Sequence, residues 1–111
     1  MVELDLPARA ELVGITLLHV ADCPNLSLAR DRVIEAAEQA GLDVRVEERL
    51  VHGLSDAAEL GFPGSPTILV DGVDPFADTD LAPSMACRLY GTDEGVQGAP
   101  SVEALVRVLQ R

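Results

Sequence analysis

The sequence contains no lysine and no tryptophan, and only 3% of its residues are aromatic. Its eight basic residues are all arginines, against 19 acidic residues, which gives a formal net charge of −11. A surface this acidic, without a basic cluster, repels the phosphates of nucleic acids and of anionic lipids. We therefore expect no nucleic-acid partner and no binding to a membrane.

Long apolar runs are also missing. The longest are short, such as residues 13–18, whereas a bilayer-spanning helix needs about 20 apolar residues. Glu3 and Asp5 stand where a secretory signal peptide would carry basic residues. These absences predict a cytoplasmic protein. A length of 111 residues with 48% apolar content predicts one globular domain over residues 1–111.

Cysteine is scarce as well, with only Cys23 and Cys87. Two cysteines do not form the disulfide framework of a small secreted domain, and no zinc-binding spacing of cysteines and histidines is present. The glycine-rich stretches lack the pattern of a phosphate-binding loop. The sequence therefore predicts two free thiols, no metal and no cofactor.

The first half of the chain alternates between strand and helix patterns. Residues 13–20 are apolar and rich in β-branched side chains, which is typical of a strand buried on both faces. Residues 24–40 have helical spacing, with Pro24 at the start and Gly41 as the stop. Residues 43–51 alternate between apolar and charged side chains, which indicates a strand at a sheet edge.

The second half predicts a short helix over residues 55–60 with Ser55 as N-cap, and a third strand over residues 67–70. Asp71 and Gly72 are a strong signal for a tight turn. Residues 1–12 are expected to form an extended arm, and residues 73–86 an ordered insertion with one helical turn. A short fourth strand over residues 87–90, a loop over 91–98 and a final helix over 101–110, capped by Ser101, complete the prediction. This order of elements predicts a parallel βαβ crossover between the first two strands, within an α/β fold with a mixed four-stranded sheet and helices on both faces.

Two motifs in this predicted fold resemble those of the thioredoxin-like superfamily, and the resemblance covers roughly residues 13–110. Cys-Pro-Asn-Leu at 23–26 follows the first strand, and Gly-Ser-Pro-Thr at 64–67 precedes the third. The resemblance implies that Cys23 and Pro66 form the catalytic site, with Cys23 as the nucleophile and Pro66 as a cis-proline. The backbone of Ser65 and Thr67 would then face the cysteine and pair with an extended peptide.

Together with Asp74-Pro75-Phe76 and residues 87–90, these motifs resemble small thioredoxin-family proteins of high-GC bacteria, some of which are labelled alkylmercury lyases. The chain departs from dithiol members at Leu26, which stands where they carry a second cysteine. Leucine cannot attack a mixed disulfide, so dithiol chemistry within the motif is excluded. An external thiol would resolve the intermediate.

The neighbours of Cys23 act on its thiol in different directions. As the expected N-cap of a helix, Cys23 would have its thiolate stabilised by the helix dipole, whereas the carboxylate of Asp22 opposes this. His19 is either a proton acceptor for the thiol or a residue packed against a helix. Cys87 is expected to be a buried structural thiol, because a strand antiparallel to residues 67–70 would place it too far from Cys23 for a disulfide.

The leading hypothesis is a thiol–disulfide oxidoreductase with Cys23 as its single nucleophile. Its partner would be a disulfide-bearing protein or a low-molecular-weight thiol. Two alternatives stay open: a non-catalytic binding module that kept the fold, and a soft-metal or organomercury-handling protein with Cys23 and Cys87 as paired thiolate ligands. Cys87 as the resolving thiol also stays open, and the sequence does not indicate an oligomeric state.

Overall fold

The computed structural model describes residues 12–77 and 81–110. Apart from Leu12, the predicted N-terminal arm lies outside these residues. None of the helices in the described part of the chain is long and apolar enough to span a bilayer. The elements, in chain order, are β1 (Val13–His19), α1 (Leu26–Ala40), β2 (Val44–Leu50), α2 (Leu54–Leu60), β3 (Thr67–Val70), β4 (Tyr90–Thr92), β5 (Gly95–Gln97) and α3 (Val102–Leu109).

A three-stranded mixed sheet forms the centre of the fold, in the order β2-β1-β3. β1 and β2 are parallel and joined by α1, which confirms the predicted crossover. β3 is antiparallel to β1, and Thr67 at its start lies opposite Leu18. β2 is an edge strand with mostly exposed side chains, as its charged alternation predicted.

The predicted fourth strand of this sheet is wrong. Within residues 87–90, Cys87 makes only an isolated bridge, while Tyr90 begins β4, which pairs with β5 in a separate hairpin. The hairpin occupies the region predicted to be a loop, residues 91–98. The chain reverses after β3 at the predicted Asp71-Gly72 turn, where Val73 forms an isolated antiparallel bridge with Val70. Pro75 has no N–H group to donate, so the bridge does not extend into a strand.

The insertion at residues 73–86 lies between β3 and β4, and so between the third and fourth of five strands. Its described residues contain a turn around Pro75, in which Phe76 N donates to Asp74 Oδ1 at 2.9 Å and Ala77 N donates to Asp74 O at 3.3 Å. The Asp74 side chain holds this turn from its first residue. The turn stands at the start of the insertion, for which the sequence predicts one helical turn.

The two faces of the sheet carry separate hydrophobic clusters, because successive side chains of β1 point in opposite directions. Ile15 and Leu17 pack with α1 and α3, whereas Leu18 packs with Ala57 of α2. Helices therefore cover both faces, as predicted. The larger cluster comprises Ile15, Leu17, Ala29, Val33, Ala36, Ala37, Ile68, Ala99, Leu105 and Leu109.

The helix ends follow the sequence signals in most places. Gly41 ends α1 in the left-handed conformation at φ 72°, and Ser101 caps α3 by accepting a hydrogen bond from Ala104 N at 3.1 Å. The predicted cap of α2 is wrong, since α2 begins one residue earlier and its N-cap is Gly53 rather than Ser55.

Candidate functional site around Cys23 and Pro66

Cys23 lies half-buried in the loop between β1 and α1. It is not the N-cap that the sequence predicted, because residues 23–26 first close a tight turn, with Leu26 N donating to Cys23 O at 3.4 Å. Asn25 is the N-cap, and the first helical bond runs from Ala29 N to Asn25 O at 3.0 Å. Cys23 therefore lies two residues before the N-cap of α1 instead of being the N-cap itself.

The residue before Cys23 has an unusual backbone. Asp22 has φ 57°, in the left-handed region that aspartate tolerates better than most non-glycine residues. Asp22 is exposed, so its carboxylate faces water. The conformation reverses the chain directly after β1 and leads it into the turn at residues 23–26.

The loop before β3 is buried at Ser65, Pro66 and Thr67. The Ser65–Pro66 bond is cis, as the resemblance implied. Ser65 Oγ accepts a hydrogen bond from Val20 N at 3.1 Å, and Thr67 Oγ1 donates to Gly64 O at 2.7 Å. Because Val20 is the first residue after β1, the Ser65 bond joins the start of the Cys23 loop to the loop that contains Pro66.

Tyr90 is bonded to this loop through its hydroxyl group. Its hydroxyl donates to Pro66 O at 2.6 Å in a buried position. Burial raises the pKa of Tyr90 well above its ordinary value, and the Arg88 guanidinium acts against that rise. The negative charge of an ionised Cys23 is a smaller cause that raises the same pKa. Burial is thus the main reason why Tyr90 keeps its proton beside Pro66.

Arg88 is the residue at this site whose role the sequence analysis missed. It is 5% exposed, and its Nη1 donates to Thr67 Oγ1 at 3.1 Å and to Asp74 Oδ2 at 2.7 Å. Its Nη2 donates to Phe76 O at 2.6 Å, and its Cζ lies 4.8 Å from the Tyr90 ring centroid. One sequence signal was present, because Arg88 is the single arginine between positions 50 and 106.

The two histidines are far less central to the site. His19 is half-buried at the end of β1, and its Nδ1 lies 3.0 Å from Val20 O, a contact in which the ring nitrogen is the donor. That bond occupies one of the two ring nitrogens with the main chain. His52 is exposed after β2.

Two expectations about Cys87 are wrong. The thiol is exposed rather than buried, and the residue lies beside Ser65 rather than at the far end of β3. Its neighbours bond to Ser65 on both sides, since Ser65 N donates to Ala86 O and Arg88 N donates to Ser65 O, each at 2.9 Å. The chain crosses the start of β3 as a parallel bridge, whereas the prediction assumed an antiparallel strand along β3.

A cleft of about 370 Å³ opens beside the Arg88 cluster. Phe76 and Leu89 line it together with Arg88 and Tyr90, and neither cysteine is among its described lining residues. Across residues 12–77 and 81–110, no group of three or more histidine, cysteine or acidic side chains is arranged to hold a metal ion. Both cysteines are free thiols.

Comparison of the chain with protein-family models, with curated proteins and with solved structures finds no match in any of the three. The chemistry available to the site is therefore inferred from its own residues. These are a half-buried thiol ahead of a helix, a buried proline loop bonded to the same end of the sheet, and a second, exposed thiol across that loop.

Proposed function

We propose that this protein is a thioredoxin-like thiol–disulfide oxidoreductase in which Cys23 is the nucleophile. The proposal is supported by the strand order β2-β1-β3, with one parallel and one antiparallel pair, and by the position of Cys23 directly after the central strand. The separate β4–β5 hairpin departs from a four-stranded sheet. The thioredoxin-like assignment accordingly depends on β1, α1, β2, β3 and α3.

The observation that carries the proposal is the hydrogen bond from Val20 N to Ser65 Oγ. β1 and β3 are antiparallel, with Leu18 opposite Thr67, so the end of β1 and the start of β3 lie at one end of the sheet. The Cys23 loop leaves from that end, and the Pro66 loop arrives there. The loops that carry the thiol and the proline therefore lie at the same end of the sheet, which supports a shared site.

The start of α1 is also suited to a thiolate. Asn25 makes no side-chain capping bond among the described residues, and the first turn of α1 has no acidic side chain. The positive end of the helix dipole is therefore not neutralised by the helix's own side chains. A thiolate placed ahead of such a terminus is stabilised, and the thiolate is the form that attacks a disulfide.

In the proposed reaction, the Cys23 thiolate attacks one sulfur of a disulfide and releases the other as a thiolate. The substrate is a disulfide-bearing protein or a low-molecular-weight disulfide. Leu26 cannot complete the exchange, because its side chain has no sulfur. A reducing compartment such as the cytoplasm would keep Cys23 in the thiol form between turnovers.

The test is the reaction of the reduced protein with 4,4′-dithiodipyridine, a neutral disulfide that the acidic surface does not repel. Cys23→Ser is expected to lower the initial rate of thiopyridone release by at least about tenfold, because only the exposed Cys87 then remains. Cys87→Ser is the matched control and should keep the initial rate. Equal initial rates for the parent protein and Cys23→Ser, with both folded by circular dichroism, would exclude Cys23 as the nucleophile.

A further inference from the structure

Residues 84–88, which we call the 84–88 segment, run beside the loop before β3 in an extended path that forms one isolated parallel bridge, between Ser65 and Cys87. Ser84 N donates to Phe62 O at 3.0 Å, and the two bonds at Ser65 continue the pairing in the same direction. Both main-chain hydrogen-bonding groups of Ser65 are therefore used by this segment. An extended chain that adds to an existing edge in this way is a recurring mode of peptide binding.

Close packing fixes the position of the segment. A Cβ atom added at Gly64, whose φ is 146°, would lie 3.0 Å from Arg88 Cβ and 3.1 Å from Ala86 O. Arg88 anchors the end of the segment through its buried ion pair with Asp74. Cys87 contributes nothing to this anchoring through its own side chain, which is exposed.

The chain segments that carry the two thiols are therefore both hydrogen-bonded to Ser65, from different sides. Cys23 follows the strand end whose Val20 N is bonded to the Ser65 side chain, and Cys87 lies opposite the Ser65 main chain. Adjacent paired strands are about 4.8 Å apart, which places the Cys87 backbone directly beside Ser65. Ala86 and Cys87 are both exposed, so the thiol can turn without breaking core contacts.

We propose that Cys87 is the resolving thiol of Cys23, supplied by the chain itself rather than by an external molecule. The inference rests on the proposed function, because it requires a mixed disulfide at Cys23. It also accounts for the absence of a second cysteine at Leu26, since the sulfur that completes the exchange comes from across the Pro66 loop.

The step balances as an ordinary thiol–disulfide exchange. Cys87 gives up its proton to water, and its thiolate attacks Cys23 Sγ of the mixed disulfide. The Cys23–Cys87 bond forms as the bond to the substrate sulfur breaks, and the leaving thiolate takes up a proton. The substrate disulfide has then gained two electrons and the two cysteines have lost two. An external dithiol such as dithiothreitol returns the protein to its reduced form.

The test uses the full chain and one equivalent of 4,4′-dithiodipyridine. The reduced parent protein should release two thiopyridones per chain, the second at a rate that does not depend on protein concentration. Cys87→Ser should release one and keep the pyridyl adduct on Cys23. Because Arg30, Arg32, Arg45 and Arg49 separate the two cysteines, trypsin should yield a disulfide-linked pair of peptides from the oxidised parent protein.

A matched control keeps two thiols but moves the second one. In Cys87→Ser/Leu89→Cys the new thiol lies two residues further along the chain, just past the end of the 84–88 segment and roughly 6–7 Å away, and only one thiopyridone should be released. If this variant released two thiopyridones per chain, a thiol at position 87, opposite Ser65, would not be required for resolution, and the proposal would be contradicted. A single release from the parent protein, with the adduct retained on Cys23, would overturn the assignment of Cys87 while leaving the proposed function intact. Unchanged initial release from Cys23→Ser would instead overturn the proposed function and the inference with it.

Discussion

Tyr90 is the single residue that reports most directly on the packing around the Pro66 loop. Its hydroxyl bonds to Pro66 O, its ring meets Phe76 edge to face with centroids 5.8 Å apart, and Arg88 stacks over it. The buried hydroxyl has no water to solvate a phenolate, which is why burial is the main cause of its raised pKa. The neutral form is therefore strongly preferred in the folded protein.

This preference predicts a loss of stability at alkaline pH. An unfolded tyrosine ionises near pH 10, whereas folded Tyr90 keeps its proton, so the folded state binds more protons there and stability falls as pH rises. The contribution is fully present below the unfolded pKa and is lost above it. We expect the free energy of unfolding to fall by roughly 1–2 kcal/mol between about pH 10 and 11.5.

Urea denaturation of the parent protein and of Tyr90→Phe measures this effect. The chain has no lysine and one tyrosine, so no ammonium side chain and no second phenol titrates in that range. Tyr90→Phe should cost about 1 kcal/mol at pH 8, through the lost hydrogen bond to Pro66 O, and should abolish the alkaline decline. An equal decline in both proteins would show that Tyr90 is not its source.

At the residue scale, the sequence predicted the parts of the site that local chemistry determines. The cysteine after the first strand and the tight turn at Asp71 and Gly72 follow from short-range signals, whereas the cis bond before Pro66 was implied by the family resemblance alone. The position of Cys87 could not be predicted in this way. It depends on where a long insertion returns to the sheet, and a cysteine carries no local signal for that.

At the scale of the structural elements, the 84–88 segment packs so closely against Gly64 that a Cβ atom there would lie 3.0–3.2 Å from Arg88 Cβ, Ala86 O and Arg88 Cα. Gly64→Ala should lower the free energy of unfolding by roughly 3 kcal/mol, for two reasons. The added Cβ would collide with the backbone of the segment, and alanine would have to adopt an unfavourable φ. Gly61→Ala is the matched control, with φ 65° but open space around it, and should cost about 1 kcal/mol. Equal costs in urea denaturation would show that the segment does not rest on Gly64.

The turn into α1 gives a second prediction at this scale. Leu26→Cys, made in the Cys87→Ser background, should place a sulfur three residues after Cys23 and on the same side of the turn. Oxidation should form a Cys23 disulfide with the new thiol, which dithiothreitol reduces. Because Leu26 is half-buried against the main core cluster, the substitution should cost about 1–2 kcal/mol. Alkylation followed by mass spectrometry that finds both thiols free, or paired only between molecules, would contradict a thioredoxin-type start of α1.

The elements that the sequence predicted best are those with a long apolar pattern. β1, α1, β3 and α3 lie where periodicity and caps placed them, within two residues. The β4–β5 hairpin was missed because each strand has three residues, and Gly91, Gly95 and the exposed Val96 give no alternation to read. Its turn is held instead by Thr92 Oγ1, which donates to Gly95 O at 2.6 Å and accepts from Glu94 N at 3.1 Å.

At the scale of the whole molecule, the fold brings together residues that are far apart in the chain. Val20, Ser65 and Cys87 belong to three separate stretches, and hydrogen bonds join those stretches at one end of the sheet. The sequence predicted the α/β class and the central crossover, because these follow from the order and length of apolar segments. It did not predict the three-stranded sheet, because sheet membership depends on tertiary pairing that composition does not encode.

In the proposed function, activation of Cys23 depends on the folded arrangement, since an unfolded chain has neither the α1 terminus nor the ordered Pro66 loop. The most direct measurement is the rate at which Cys23 in the Cys87→Ser protein reacts with 4,4′-dithiodipyridine at pH 7, folded and again unfolded in urea. Cys23→Ser serves as the control, in which the exposed Cys87 should react at similar rates in both states. If the fold activates Cys23, the folded protein reacts faster by about tenfold or more. A folded protein that reacts no faster than the unfolded chain would contradict Cys23 as the nucleophile of this site.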